Sequence, residues 1–177
     1  MLRIFGWTAV VLVIAVIVLI SYAATKPDSF RVARSLVIAA PPDRLFLLIN
    51  DLHGFNRWNP YERKDPEKGV HSGAAAGVGA SYARDSSKTG KGSMTVTESS
   101  APSTVVMRLD FLKPFEAQNR ATFTVMPKDG GSEVTWAMDG PATLVTKIMD
   151  VVIGMDKMIG NDFADGLRNL KGIAEKP

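Results

Sequence analysis

From Ala80 onward, apolar residues recur at every second position. Met94 and Val96, then Val105, Met107, Leu109 and Phe111, then Ala121, Phe123 and Val125, then Val134, Trp136 and Met138 share one parity. Thr95, Thr97, Arg108, Asp110, Arg120, Thr122, Thr124, Glu133 and Thr135 share the other. Such alternation predicts an antiparallel sheet with one dry face and one wet face. The strands are expected over Ala80–Asp85, Gly92–Ser99, Thr104–Leu112, Glu116–Met126 and Glu133–Asp139, the last following a Lys128-Asp129-Gly130-Gly131 hairpin turn. Phe30–Ile38 alternates well enough to be a first strand, separate from this meander.

Beyond the last strand the period changes. Leu144, Ile148, Val151, Val152, Met155, Ile159, Phe163, Leu167 and Leu170 are three or four residues apart or adjacent, one stripe at helical spacing. One long amphipathic helix over Ala142–Ile173 is predicted, packed on the dry face. Gly154, Gly160, Gly166 and Gly172 recur every six residues, a rotation of about 240° that puts them on no single face. A kinked helix and close packing on the sheet are both compatible with them. Between the first strand and the meander, Pro41-Pro42-Asp43 is a helix start, with Leu45, Phe46, Leu48, Ile49 and Leu52 as the buried face. A second short helix over His53–Tyr61, ended by Pro60, and a short strand near Val70 and His71 are expected.

The run Ile4–Ala24 carries no charge, and as a helix it would rise about 31 Å. Trp7 and Tyr22 sit near its ends, where interfacial aromatics are favoured. The expectation is a retained single-pass anchor in residues 1–25, a linker over 26–29, and one domain over 30–177, placed outside the cytoplasm. A cleaved signal peptide ending at Ser21-Tyr22-Ala23 is the competing reading.

Composition narrows the chemistry. From residue 25 onward there are 20 basic and 18 acidic side chains, which leaves +2 and no electrostatic footprint for nucleic acid. There is no cysteine and only two histidines, so thiolate zinc and histidine-rich metal sites are excluded, and no cofactor is expected. Gly77-Val78-Gly79-Ala80-Ser81-Tyr82 lacks the third glycine of a dinucleotide loop and precedes a strand. Gly79-Ala80-Ser81-Tyr82-Ala83 is one residue short of a nucleophile elbow. His53 follows the first predicted helix, where a cation suits the negative end of the dipole; the competing role is a base at a cavity mouth. His71 reads as solvated.

A strand, two short helices, an antiparallel meander and a closing helix follow the helix-grip order of an α+β fold: a curved antiparallel sheet wrapped around a long C-terminal helix. The chain resembles the SRPBCC (START-like) superfamily, in its polyketide-cyclase/dehydrase-like and chaperone-activator-homology branches. Ser35-Leu36-Val37-Ile38-Ala39-Ala40-Pro41-Pro42, Ile49-Asn50-Asp51 with Trp58-Asn59-Pro60, Gly77–Tyr82, Gly90–Glu98 and Phe111–Phe115 carry the likeness. It implies a cavity between sheet and helix for a small apolar or lipid-like molecule. The relatives often read Trp-Glu-Gly where this chain has Arg84-Asp85-Ser86.

Within that cavity, Tyr82, Glu98 and Asn119 are the polar candidates. Asn119 shares parity with Ala121 and Phe123, and a buried amide needs partners. Met107, Met138 and Met155 would give an adaptable lining, with Phe111, Trp136 and Phe163 as aromatic wall and Trp58 near the entrance. Three functions stay open: a membrane-anchored binding module, a cyclase/dehydratase-like enzyme, and a chaperone-activator-type interaction module. The first is favoured, because the dry face is rich in methionine and aromatics and poor in convergent ionisable groups.

Overall fold

The computed structural model describes residues 2–65, 69–88, 90–113 and 115–176, without the side chains of 2–6 and 9. Pro114, inside the Phe111–Phe115 passage, lies outside the described residues. Helix α1 (Leu2–Ala24) is followed by strand β1 (Ser29–Ile38), then by α2 (Pro42–Asn50), α3 (Leu52–Asn56) and α4 (Pro60–Lys64). Strands β2 (Val70–Gly73), β3 (Ala80–Ser86), β4 (Gly90–Ser100), β5 (Thr104–Lys113), β6 (Ala117–Lys128) and β7 (Gly131–Pro141) form the meander. Helices α5 (Leu144–Ile153) and α6 (Met155–Ala174) close the chain. The seven strands make one antiparallel sheet in the order β1-β7-β6-β5-β4-β3-β2, so the first strand pairs with the last.

Parity selects the faces as the alternation predicts. Val96, Val105, Met107, Ala121, Phe123, Val125, Val134, Trp136 and Met138 are buried, while the threonines and charges between them are not. At Lys128–Gly131 both glycines of the turn have positive φ, 82° and 154°, as a tight hairpin with that sequence requires. The helical connection differs from expectation in one respect. Pro60 does not end a helix; it opens one, because its ring presets φ and its missing N–H falls where no helical bond is made. Asn59 caps α4 by accepting the Tyr61 amide, giving three short helices instead of two.

The closing helix is two helices. At Gly154 the backbone turns left-handed, φ 78°, and the Asp150 carboxylate accepts the freed Met155 N–H. Of these two, α6 is the one that packs on the sheet: Ile159, Phe163, Leu167 and Leu170 are buried, as the stripe predicts. The stripe's first half is not, and Val152 is 65% exposed. Helix α5 touches α1 and α6 instead of the sheet.

The expectation of a membrane anchor over Ile4–Ala24 does not hold. Among the described residues, no helix is long and apolar enough to cross a membrane. Nor is the end of α1 free: Ala23 is fully buried and α1 lies against α5. The membrane partner and the single-pass location fall with the anchor.

The α6 glycines separate by what lies opposite them. A Cβ at Gly166 would sit 2.6 Å from the Trp136 ring and 3.1 Å from Pro60, both held by the core. At Gly160 it would meet only the end of the Arg34 side chain, and at Gly172 it meets open space. Urea denaturation should therefore rank three variants. Gly166→Ala should lose about 1–3 kcal/mol to overpacking, and Gly172→Ala should gain up to about 1 kcal/mol of helix propensity. Gly160→Ala should stay near neutral, the same gain offsetting a displaced Arg34. Equal effects at all three would refute close packing at Gly166.

Candidate functional site

The interior between sheet and α6 is filled by rings. Trp136 stacks on Phe163 with centroids 4.1 Å apart and 11° between planes. Trp58, Phe55 and Phe123 pack around it, with centroids 5.0–6.1 Å from the Trp136 ring. Trp58 is therefore not at an entrance; it is fully buried, and its indole N–H donates to the Leu48 carbonyl. The Trp136 indole N–H is buried and has no hydrogen-bond partner among the described residues. Met107 and Met138 are buried in the same core.

Two other sequence-selected residues are exposed, and one of them has changed face. A bulge between Val96 and Glu98 puts two residues of β4 opposite one of β5 and turns Glu98 outward, where it pairs with Arg120 at 2.9 Å. Phe111 lies at the fraying end of β5, 40% exposed, beside a second irregularity at Lys91/Gly92.

What remains is a row at the open end of the grip. Phe30 is opposite Gly140, Asn119 is opposite Leu109, Leu109 is opposite Met94, and Met94 is opposite Tyr82. Gly140 joins the two halves: a Cβ there would sit 2.1 Å from the Asn119 carbonyl oxygen, so only glycine leaves room for this amide. Asn119 Nδ2 reaches the Met138 sulfur at 4.0 Å, and Asn119 Oδ1 is buried with no hydrogen-bond partner among the described residues. Half-buried Leu109 and Phe30 flank it, and Met94 and Met155 are half-buried against the same core. Alongside, a groove of about 630 Å³ is lined by Asp28, Ser29, Phe30, Arg31, Asp139, Gly140 and Pro141. At its rim the buried Lys147 of α5 binds the exposed Asp28 carboxylate at 2.6 Å and holds its pKa below the usual carboxylate range. The first turn of α6 is fixed over β1 by Arg34, which donates to the Asp156 carboxylate at 3.0 and 3.1 Å.

The row ends in a polar cluster. Tyr82 donates its hydroxyl to Glu62 at 2.9 Å and accepts the Gly69 N–H at 2.7 Å. Arg84 pairs with Glu62 at 2.6 Å, both side chains nearly buried. Asp65, also buried, accepts a hydrogen bond from Ser86. Burial pushes the Tyr82 phenol above its ordinary range; Glu62 adds to this, while Gly69 N–H and Arg84 oppose it. Burial, then Asp162, raises Tyr61 further still. The sequence marked Tyr82 but missed Glu62, which lies in a polar stretch with no periodicity. Arg84 in place of an apolar residue was its one available signal. His53 is at the start of α3, not the end of a helix, because Asp51 accepts its backbone N–H and caps there. Among the described residues no group of three or more ligating side chains converges on a metal position.

The family described as polyketide cyclase / dehydrase and lipid transport matches residues 29–175. No curated protein matches the chain. Among solved structures, a Chromobacterium violaceum protein is similar at 18% identity, covering 85% of this chain and 100% of its own, with a TM-score of 0.58. The Aha1 dimer from Colwellia psychrerythraea is similar at 15% identity, covering 82% and 96%, with a TM-score of 0.60. The di-domain ARO/CYC StfQ of the steffimycin biosynthetic pathway is similar at 12% identity over 83% of this chain and 51% of that one, TM-score 0.61. At such identities the likeness is one of fold.

The Glu62–Arg84 pair yields a stability prediction. Arg84→Met leaves a nearly buried carboxylate without its cation and should cost about 3 kcal/mol. Adding Glu62→Gln should restore most of that loss, since neither charge then remains. Chemical denaturation of the two single variants and the double variant checks this; strictly additive losses would mean the pair is not coupled.

Proposed function

Because the chain belongs to the polyketide cyclase / dehydrase and lipid transport family, we propose that it binds a small apolar or lipid-like molecule at the open end of the grip. The polar end of that molecule would meet Asn119, and its apolar body would lie along Phe30, Leu109, Met94 and Met155. One observation carries this reading: the Asn119 side-chain oxygen is buried beside Gly140 and has no partner among the described residues. A buried acceptor left unpaired costs about 1–3 kcal/mol, and a ligand hydroxyl or amide would satisfy it. Methionine supports the same reading, since an unbranched, polarisable side chain adapts to irregular apolar partners. The aromatic filling of the interior directs the ligand to the mouth instead of the space beneath Trp136.

A cyclase-like activity is the second reading, favoured by Tyr82. Its hydroxyl shares the Asn119 row and is already bonded to a carboxylate, an arrangement in which a phenol can pass a proton. The steffimycin-pathway ARO/CYC protein has the same fold, which is compatible with either reading.

Native mass spectrometry of the purified full chain should find an apolar molecule bound. Calorimetric titration with palmitate, farnesol and naphthol should find at least one of these classes binding. Asn119→Leu should weaken that binding about tenfold, the value of one hydrogen bond of about 1.4 kcal/mol, while leaving the free protein at least as stable. No co-purifying molecule and no binding by any of the three would overturn the proposal. Tyr82→Phe separates the readings: binding retained with turnover of a bound polyketide lost would favour the enzyme.

A further inference from the structure

At the opposite edge of the sheet lies a cleft of about 220 Å³, lined by Leu52, His53, His71, Ser72, Ala80 and Ser81 among others. Two imidazoles close its floor. His71, on β2, is opposite Tyr82 in the β2–β3 register, and the two rings are 4.6 Å apart. His53, on α3, stacks on His71 with centroids 3.7 Å apart and 18° between planes. Asn56, also on α3, places its amide nitrogen 3.4 Å from His71 Nε2.

Strand β2 depends on such contacts. It is four residues long and terminal in the sheet, so β3 is its sole neighbour in the strand order. A short edge strand has few ladder bonds and opens at low cost. The charged and titratable groups around the pair are few. Asp51 caps α3 beside His53, and Tyr82 faces His71 from β3. Glu62 of α4 holds the Tyr82 hydroxyl and is itself paired with Arg84. Thus no carboxylate bonds directly to either imidazole among the described residues; a proton added to the stack meets another ring, and the Asp51 charge acts on it only through space.

We propose that the His53–His71 stack is an acid-released clasp that holds edge strand β2 on α3. Neutral rings stack; protonated rings repel face to face, freeing β2 from α3 and widening the cleft toward Tyr82. Burial, followed by the neighbouring His53, lowers the His71 pKa, and Asp51 opposes this. The sign follows. A histidine with a lowered folded pKa gives its full stabilisation above the ordinary histidine value, and loses it as pH falls through the lowered one. The clasp is therefore closed at neutral pH and opens in mild acid. This inference is independent of the Asn119 groove, which is at the other edge.

Hydrogen exchange of the full chain tests it, with rates corrected for the intrinsic pH dependence. Between about pH 7.5 and pH 5, protection at residues 70–73 should fall by about threefold or more, while β5 and β6 hold theirs. His71→Phe keeps a ring and removes the proton, and should make β2 protection independent of pH. Unchanged protection in the wild type, or the same acid loss in the variant, would overturn the clasp. His53→Phe provides a second route should His71→Phe not fold. Its His71 resonance should titrate at a higher pH than in the wild type, and an unmoved midpoint would overturn the clasp equally.

Discussion

The stack of Trp136 on Phe163 is the contact on which the rest depends. It is the point where the sheet's dry face and the α6 stripe meet as flat surfaces, 4.1 Å apart and nearly parallel. Each ring buries roughly 150–250 Å² and adds directional preference to the burial. Gly166 is bare because the Trp136 ring occupies the place of its side chain. Trp58 and Phe55 are drawn in from the helical connection to seal the edges of the stack, and that fixes α3 and α4 over the sheet. The positions of Glu62 and His53 follow from this placement, so the polar cluster and the imidazole pair are consequences of an apolar core.

A filled interior also decides where binding is possible. Five aromatic side chains pack against one another beneath α6, and the row from Phe30 to Tyr82 is the next layer outward. This layer changes character along its length. At β1 and β7 it is apolar and open, with Gly140 admitting the Asn119 amide. At β3 it is polar and closed by the Glu62–Arg84 pair. A molecule with one polar end fits the first half of such a row. A second polar group on the molecule would have to displace a nearly buried ion pair, which is costly. Under the proposed reading, such a row favours ligands of low polarity lying on a filled core.

Much of this was legible beforehand, and the reasons for the misses are specific. Period-two alternation sorted the sheet's faces because side chains on a strand have only two directions. It failed at Glu98, where a bulge changes parity with no sequence mark beyond a polar residue after Val96. The α6 stripe was readable, but its continuation into α5 was not broken by any rule of hydrophobic spacing. Gly154 alone stops it, and glycines at three other positions in α6 carry on the helix. Pro60 is ambiguous in sequence because proline is compatible with both ends of a helix, and Asn59, a capping side chain directly before it, decides for the start. The uncharged run at the N-terminus satisfied a hydropathy rule, whereas among the described residues no helix is long and apolar enough to span a bilayer.

The candidate site was half legible. Asn119 stood out because strand parity sends an amide into an apolar face, a conflict that sequence alone exposes. Glu62 and His71 did not stand out, since their roles arise from partners twenty and eighteen positions away in the chain. Such pairs are invisible to any reading by period. They are made when the core seats α3 and α4 over β2 and β3, and polar groups brought along must then satisfy one another. Tyr82 shows the result: its ring contributes to the core, and its hydroxyl links Gly69 to Glu62. One side chain therefore joins the apolar layer that sets the fold to the polar layer that borders the site. A change at Tyr82 would act on both layers, whereas a change at Asn119 acts on the site alone.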